Sequence, residues 1–205
     1  MEQALRAGMA IYNAEEFHAA HDAWEAPWLD RDRGTDDERL LHGLIQFTAA
    51  IHHATEGNPE GARGLAASAR EYLDGLEGYR GVNVGDARGY LESLLADPTG
   101  IGPADAPELT IEGVPPSLDT AAFEVGAIAA HVLAEEYGYG EKVIETAIEY
   151  ARRDLADGEE TSPFVTLVLD FAREEDYRAV VTQRLGEHVE RREAREADLK
   201  GLFEP

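Results

Sequence analysis

The stretch 40–65, "LLHGLIQFTAAIHHATEGNPEGARGL", decides the fold. At helical steps Leu40, Leu41, Leu44, Ile45, Phe47, Thr48 and Ile51 fall on one broad arc, the pattern of a helix with one buried side. Acidic residues precede the run and Gly57-Asn58 follows it, so the spacing predicts a complete helix over 37–56 with a built-in stop. Asn58 and Pro59 then serve as cap and first-turn residue of a second helix through about Leu76, whose buried side is marked by Leu65, Ala69, Tyr72 and Leu76. The two form a helical hairpin.

Toward the N-terminus, residues 2–12 read as a short amphipathic helix. Asn13 followed by Glu16 has the spacing of a polar cap with a reciprocating glutamate, which predicts another helix over 14–26, with Pro27 discouraging continuation. Beyond the hairpin a shorter helix covers 86–96. From Asp97 to Leu118 the texture changes to five prolines and three glycines in 22 residues, a connector without a helix of its own. Helices follow at 120–136 and 141–157. The piece 162–172 is rich in β-branched residues, but Ser162-Pro163 is a good helix start and no partner strand is in view, so it reads as helix. A last helix over 175–199 ends in HVERREAREAD, where arginines alternate with glutamates. Glu187 and Arg191 stand four apart, the spacing of a solvated face rather than an RNA-binding arm. The expectation is an all-α protein, a compact helical bundle with a C-terminal helical extension: a core over 1–96, the connector 97–118, and an extension 119–205 packed on the core.

Composition narrows the chemistry. There is no cysteine, so disulfides, thiolate metal sites and cysteine nucleophiles drop out together. No apolar run approaches the ~18 residues of a membrane span, and the opening helix does not resemble a secretory leader, so the expected location is the cytoplasm. Asp and Glu number 42 against 18 Lys and Arg, a formal net charge of −24. Of those cations only Lys142 and Lys200 are lysine. The acid is spread along the chain, a surface suited to molar salt, where the Debye length shrinks to ~3 Å. Nucleic acids and membranes are poor partners for such a surface.

The chemistry-bearing stretch is "FHAAHDAWEAPW", 17–28. At helical steps Phe17, Trp24 and Trp28 share a narrow arc, with His21 beside them and Glu25 at its edge, while His18 and Asp22 point further round. In the 37–56 helix a separate stripe holds His42, Gln46, Ala49 and His53. If these faces meet, His21, Glu25, Gln46 and His53 converge inside the bundle beside Trp24 and Trp28. Three readings of that cluster stay open. One is a satisfied polar core, structural or binding a small ligand. Another is a zinc, iron or manganese site, with His21, Glu25 and His53 as ligands of a metal-dependent hydrolase or related enzyme. In the third, a histidine oriented by Glu25 works as a general base. An interaction module forming homo-oligomers through the apolar faces of 120–172 is a separate alternative. Glu15-x-x-His18 is half of a di-iron motif without its second half, and no His-Glu-x-x-His, phosphate loop or Gly-x-Ser-x-Gly elbow occurs. The residues themselves name no cofactor.

Phe17, His21, Asp22, Trp24, Glu25 and Trp28, followed by "LHGLIQFTAAIHHATEGNPEGARGL" at 41–65, resemble a family catalogued as a domain of unknown function, number 309. Asp22 stands where that family's pattern has glutamate. The likeness covers about 13–95. It implies a compact all-α fold in a cytoplasmic protein and groups His21, Glu25, Gln46 and His53 as a shared polar set, without supplying an activity.

Overall fold

In a computed structural model, which describes residues 1–203, the first helix, α1 (Glu2–Asn13), buries Leu5, Met9, Ile11 and Tyr12. The chain reverses through Glu15, at φ 65°, into α2 (Phe17–Leu29). This helix begins at Phe17 rather than Ala14, because Asn13 closes α1 and its side chain is committed elsewhere. Its end also lies past Pro27, since a proline in the final turn disturbs only the last bonds of the ladder. α2 buries Ala19, Ala20, Ala23 and Trp24, and the three alanines let it lie close to its neighbours. Gly8 of α1 faces the Trp24 indole so closely that a Cβ there would overlap the ring, and Trp24 Nε1 donates to the Leu5 carbonyl at 3.3 Å.

α3 (Asp36–Thr55) starts where Thr35 Oγ1 accepts from the Glu38 amide, with three acids in the first turn against the helix dipole. It lies between α2 and α4 (Pro59–Tyr72) and supplies much of the core through Leu40, Leu41, Leu44, Phe47 and Ile51. Asn58 Oδ1 accepts from the Gly61 amide, 3.0 Å, so the cap and first-turn proline stand as expected; α4 ends at Tyr72, with Leu73 and Leu76 buried just beyond it. Gly43 gives the hairpin its close approach, since a Cβ would meet Leu73 at 2.6 Å. Asp37 takes both arms of Arg80, at 2.6 and 2.8 Å, and the Tyr79 hydroxyl at 2.8 Å, fixing the turn that leads into α5 (Val84–Ala96).

The proline-rich segment after α5 holds a 3₁₀ turn at Pro103–Asp105 and two isolated β-bridges, and it is strapped to the helices by two asparagines. Asn13 Oδ1 accepts from Leu109 N (2.9 Å) while its Nδ2 donates to the carbonyls of Leu109 and Pro116, both at 3.0 Å. Asn83 Oδ1 accepts from Thr110 N at 2.8 Å and its Nδ2 donates to the Glu108 carbonyl at 2.9 Å. The Tyr12 hydroxyl donates to the Pro107 carbonyl, 2.9 Å. This strap makes the first compact unit run Met1–Ala121.

A second unit begins at Ala122 and holds α6 (Phe123–Glu136), α7 (Glu141–Ala156), α8 (Pro163–Arg173) and α9 (Arg178–Phe203). The 162–172 piece is helical, with Ser162 Oγ accepting from the Val165 amide and Phe164, Val168 and Phe171 buried. In α9 the arginines do not all serve a solvated face. Arg192 turns inward to the buried Asp154 (2.5 Å) and lies 4.7 Å from the centre of the Tyr150 ring, and Arg191 donates to the Glu187 backbone carbonyl rather than its carboxylate. Among the described residues the protein is all-α, with no strand, and no helix is long and apolar enough to cross a membrane.

Candidate functional site

Because α2 seats itself on its alanines, the arc of Phe17, Trp24 and Trp28 does not face the core squarely. Trp24 is fully buried, Phe17 and Trp28 are half-buried at the flank, His21 is half-buried and Glu25 is exposed. His21, Asp22 and Glu25 form one group on that flank, each offering a ligand atom within 4.8 Å of the others. His21 Nδ1 lies 2.7 Å from Asp22 Oδ1. That hydrogen bond raises the imidazole above its ordinary pKa; burial works against it, and the charges of Asp22 and Glu25 add to the rise. A row of imidazoles runs on from there: His18 lies 6.2 Å from His21 between ring centres, His52 of α3 lies 5.5 Å from His18, and His53 lies 6.1 Å from His52.

A second array lies between α2, α3 and α4, with Glu38 buried and Trp28, His42, Gln46 and Tyr72 half-buried around it. Glu38 accepts from Trp28 Nε1 (3.0 Å) and from the Gly34 amide (3.1 Å), and its carboxylate stands 3.5 Å from His42 Nδ1. His42 Nε2 meets Gln46 Nε2 at 3.4 Å, and the imidazole sits between Trp28 and Tyr72, with ring centres 4.5 and 3.9 Å away. Burial holds His42 below its ordinary pKa, only partly offset by Glu38. Burial pushes Glu38 the other way, but the indole N–H, the Gly34 amide and His42 outweigh it and keep the carboxyl below its usual range. Burial thus disfavours the charged imidazole, while the hydrogen bonds to Glu38 favour its charged carboxylate.

The four residues expected to meet inside the bundle therefore lie in three places. His21 and Glu25 stand together on the flank of α2, where they are joined by Asp22. Gln46 belongs to the second array, and His53 Nδ1 is held at 3.0 Å by Asn58 Nδ2 at the end of α3. An acid, an imidazole, an amide and an indole do gather between the helices, but the acid is Glu38 and the imidazole His42, and only the acid is buried. The spacing Glu38-x-x-x-His42-x-x-x-Gln46 is the signal that identifies them, one turn further back along the stripe that holds Gln46. Asp22, His18 and His52 are the remaining residues that helical-wheel reasoning left outside.

Residues 5–65 match the family described as Domain of unknown function (DUF309). That segment contains both the His21–Asp22–Glu25 flank and the Glu38–His42–Gln46 array. An uncharacterized protein of Aquifex aeolicus (strain VF5) is 29% identical over 92 residues, which make up 44% of this chain and 27% of that protein. The chain thus spans about a quarter of the length of this curated relative, and the likeness falls on less than half of the chain described here.

Proposed function

We propose that the flank of α2 is a binding site for a divalent transition-metal ion, with His21, Asp22 and Glu25 as its protein ligands. The observation that carries this reading is the mutual approach of one imidazole nitrogen and two carboxylate oxygens to within 4.8 Å. Metal–ligand bonds of ~2.0–2.2 Å bring ligand atoms to about 3–3.5 Å of one another, a closure that half-exposed side chains reach by small rotations. One nitrogen and two oxygens suit zinc, manganese or iron, and three protein ligands leave positions for water, the arrangement in which a bound metal activates a nucleophile. The Glu38–His42–Gln46 array serves this site structurally, by holding α3 against Trp28 of α2. His53, tied to Asn58, is not a ligand in this reading.

The test is metal analysis of protein purified without chelators, followed by titration with Zn²⁺ and Mn²⁺ in 1 M KCl to suppress non-specific binding to the acidic surface. About one equivalent should bind, be lost in His21→Ala, and persist in His53→Ala. Equal binding by wild type and His21→Ala would remove the site. The distributed negative charge further supports a protein suited to molar salt. Its thermal midpoint should rise between 0.1 and 2 M KCl, and a flat or falling midpoint contradicts that part of the proposal.

A further inference from the structure

Between the α1–α2 turn and the strap lies a cavity of ≈ 170 Å³ that neither the metal flank nor the second array uses. Tyr12 and Phe17, packed edge to face with ring centres 5.4 Å apart, line it together with Pro103 and Pro107 of the strap. The Tyr12 hydroxyl is tied to the Pro107 carbonyl and Asn13 clamps Leu109, so the end of α1 and the strap are fixed to each other. The lining also includes two carboxylate-bearing residues from distant parts of the chain, Glu15 and Glu108. Among the described residues neither carboxylate has an ion-pair or hydrogen-bond partner. Glu15 also has a positive φ of 65°, a backbone position where glycine would be the unstrained choice.

We infer that this cavity binds a small organic ammonium ion. Phe17, Tyr12 and the strap prolines line the cavity beside an alkyl stem, ring electrons attract a cation, and the exposed, unpaired side chains of Glu15 and Glu108 are available to neutralise an ammonium group. Anions are disfavoured there by the same carboxylates and by the net charge of the chain. At roughly 30 Å³ for each water-sized group, the space takes about half a dozen non-hydrogen atoms, the size of a four-carbon amine or diamine. The inference is independent of the metal reading.

The experiment is an amide chemical-shift titration of the full chain in 1 M KCl with n-butylammonium, 1,4-diaminobutane and, as a neutral control, 1-butanol. The expected result is saturable shifts for both amines around residues 12–17 and 104–109, with no saturation for butanol. The Glu15→Gln/Glu108→Gln double variant keeps the shape of two exposed side chains and should unfold at the wild-type midpoint while binding at least ~10-fold more weakly, each lost charged contact being worth on the order of a tenfold change. His21→Ala should bind amines like wild type. Shifts that stay linear with concentration, unchanged binding in the double variant, or butanol binding as tightly as butylammonium would overturn the inference.

Discussion

Replacing Glu38 by alanine should damage the first unit far more than replacing Glu25, although the sequence makes Glu25 the more conspicuous acid. Glu38 is 7% exposed and is the acceptor for both Trp28 Nε1–H and the Gly34 amide. Hydrogen bonds to a charged partner are worth about 1.5–3 kcal/mol each, with some recovered when water reaches the vacated space. A loss of about 2–4 kcal/mol follows for Glu38→Ala. Glu38→Gln can still accept one of the two bonds and should lose about half as much. Glu25 is exposed and donates nothing to the core, so Glu25→Ala should stay near the ~0.5 kcal/mol of an ordinary surface change. Urea unfolding followed by tryptophan emission is the suitable assay, because both tryptophans lie in α2 and report on the first unit alone. With a slope of ~1–3 kcal/mol per molar, Glu38→Ala should lower the midpoint by about 1–2 M. A midpoint equal to wild type, or a Glu25→Ala variant that loses as much, would refute the placement of the buried charge.

Asn13→Ala removes three hydrogen bonds to the strap and should cost about 2–4 kcal/mol, with amide exchange at Leu109 accelerated; unchanged exchange there would show that the strap does not depend on Asn13. Gly8→Ala drives a methyl group into the Trp24 indole and should destabilise by about 1–3 kcal/mol in the same urea assay, whereas a gain, as helix propensity alone would give, means the two helices are further apart. The pH dependence follows from His42: its folded pKa lies below the unfolded value near 6.5, so the unfolded chain binds more protons in that window and stability falls as pH drops through it. His42→Gln should flatten the fall in thermal midpoint between pH 7 and 5, and an equally steep profile in that variant counts against a lowered His42 pKa.

The helices were legible because their apolar residues recur at the helical period and because Thr35, Asn58 and Ser162 carry their cap chemistry locally. Asn13 was not legible. Its spacing to Glu16 is that of a capping box, yet its side chain reaches a partner near residue 109, and no local pattern encodes a bond across so much chain. The candidate site was half legible for a related reason. Large aromatic side chains dominate a helical wheel, but α2 is seated by Ala19, Ala20 and Ala23, whose small size permits the closest approach. That seating turns Glu25 outward and leaves the interior acid to Glu38, which a reading centred on the tryptophans passes over. The stripe through Gln46 was visible from spacing alone; its His42 and Gln46 meet beside Glu38, while its His53 is held apart by Asn58.

The strap sets where an independently stable piece of this protein can end. Residues 5–65 carry the family likeness, but a fragment stopped after α5 strips Tyr12, Asn13 and Asn83 of their distant partners and uncovers the apolar surface beneath Leu109. During synthesis the early helices can form as they emerge, yet the unit closes only when the chain has grown past Pro116. Its cooperative folding boundary therefore lies some fifty residues beyond the boundary drawn by sequence likeness.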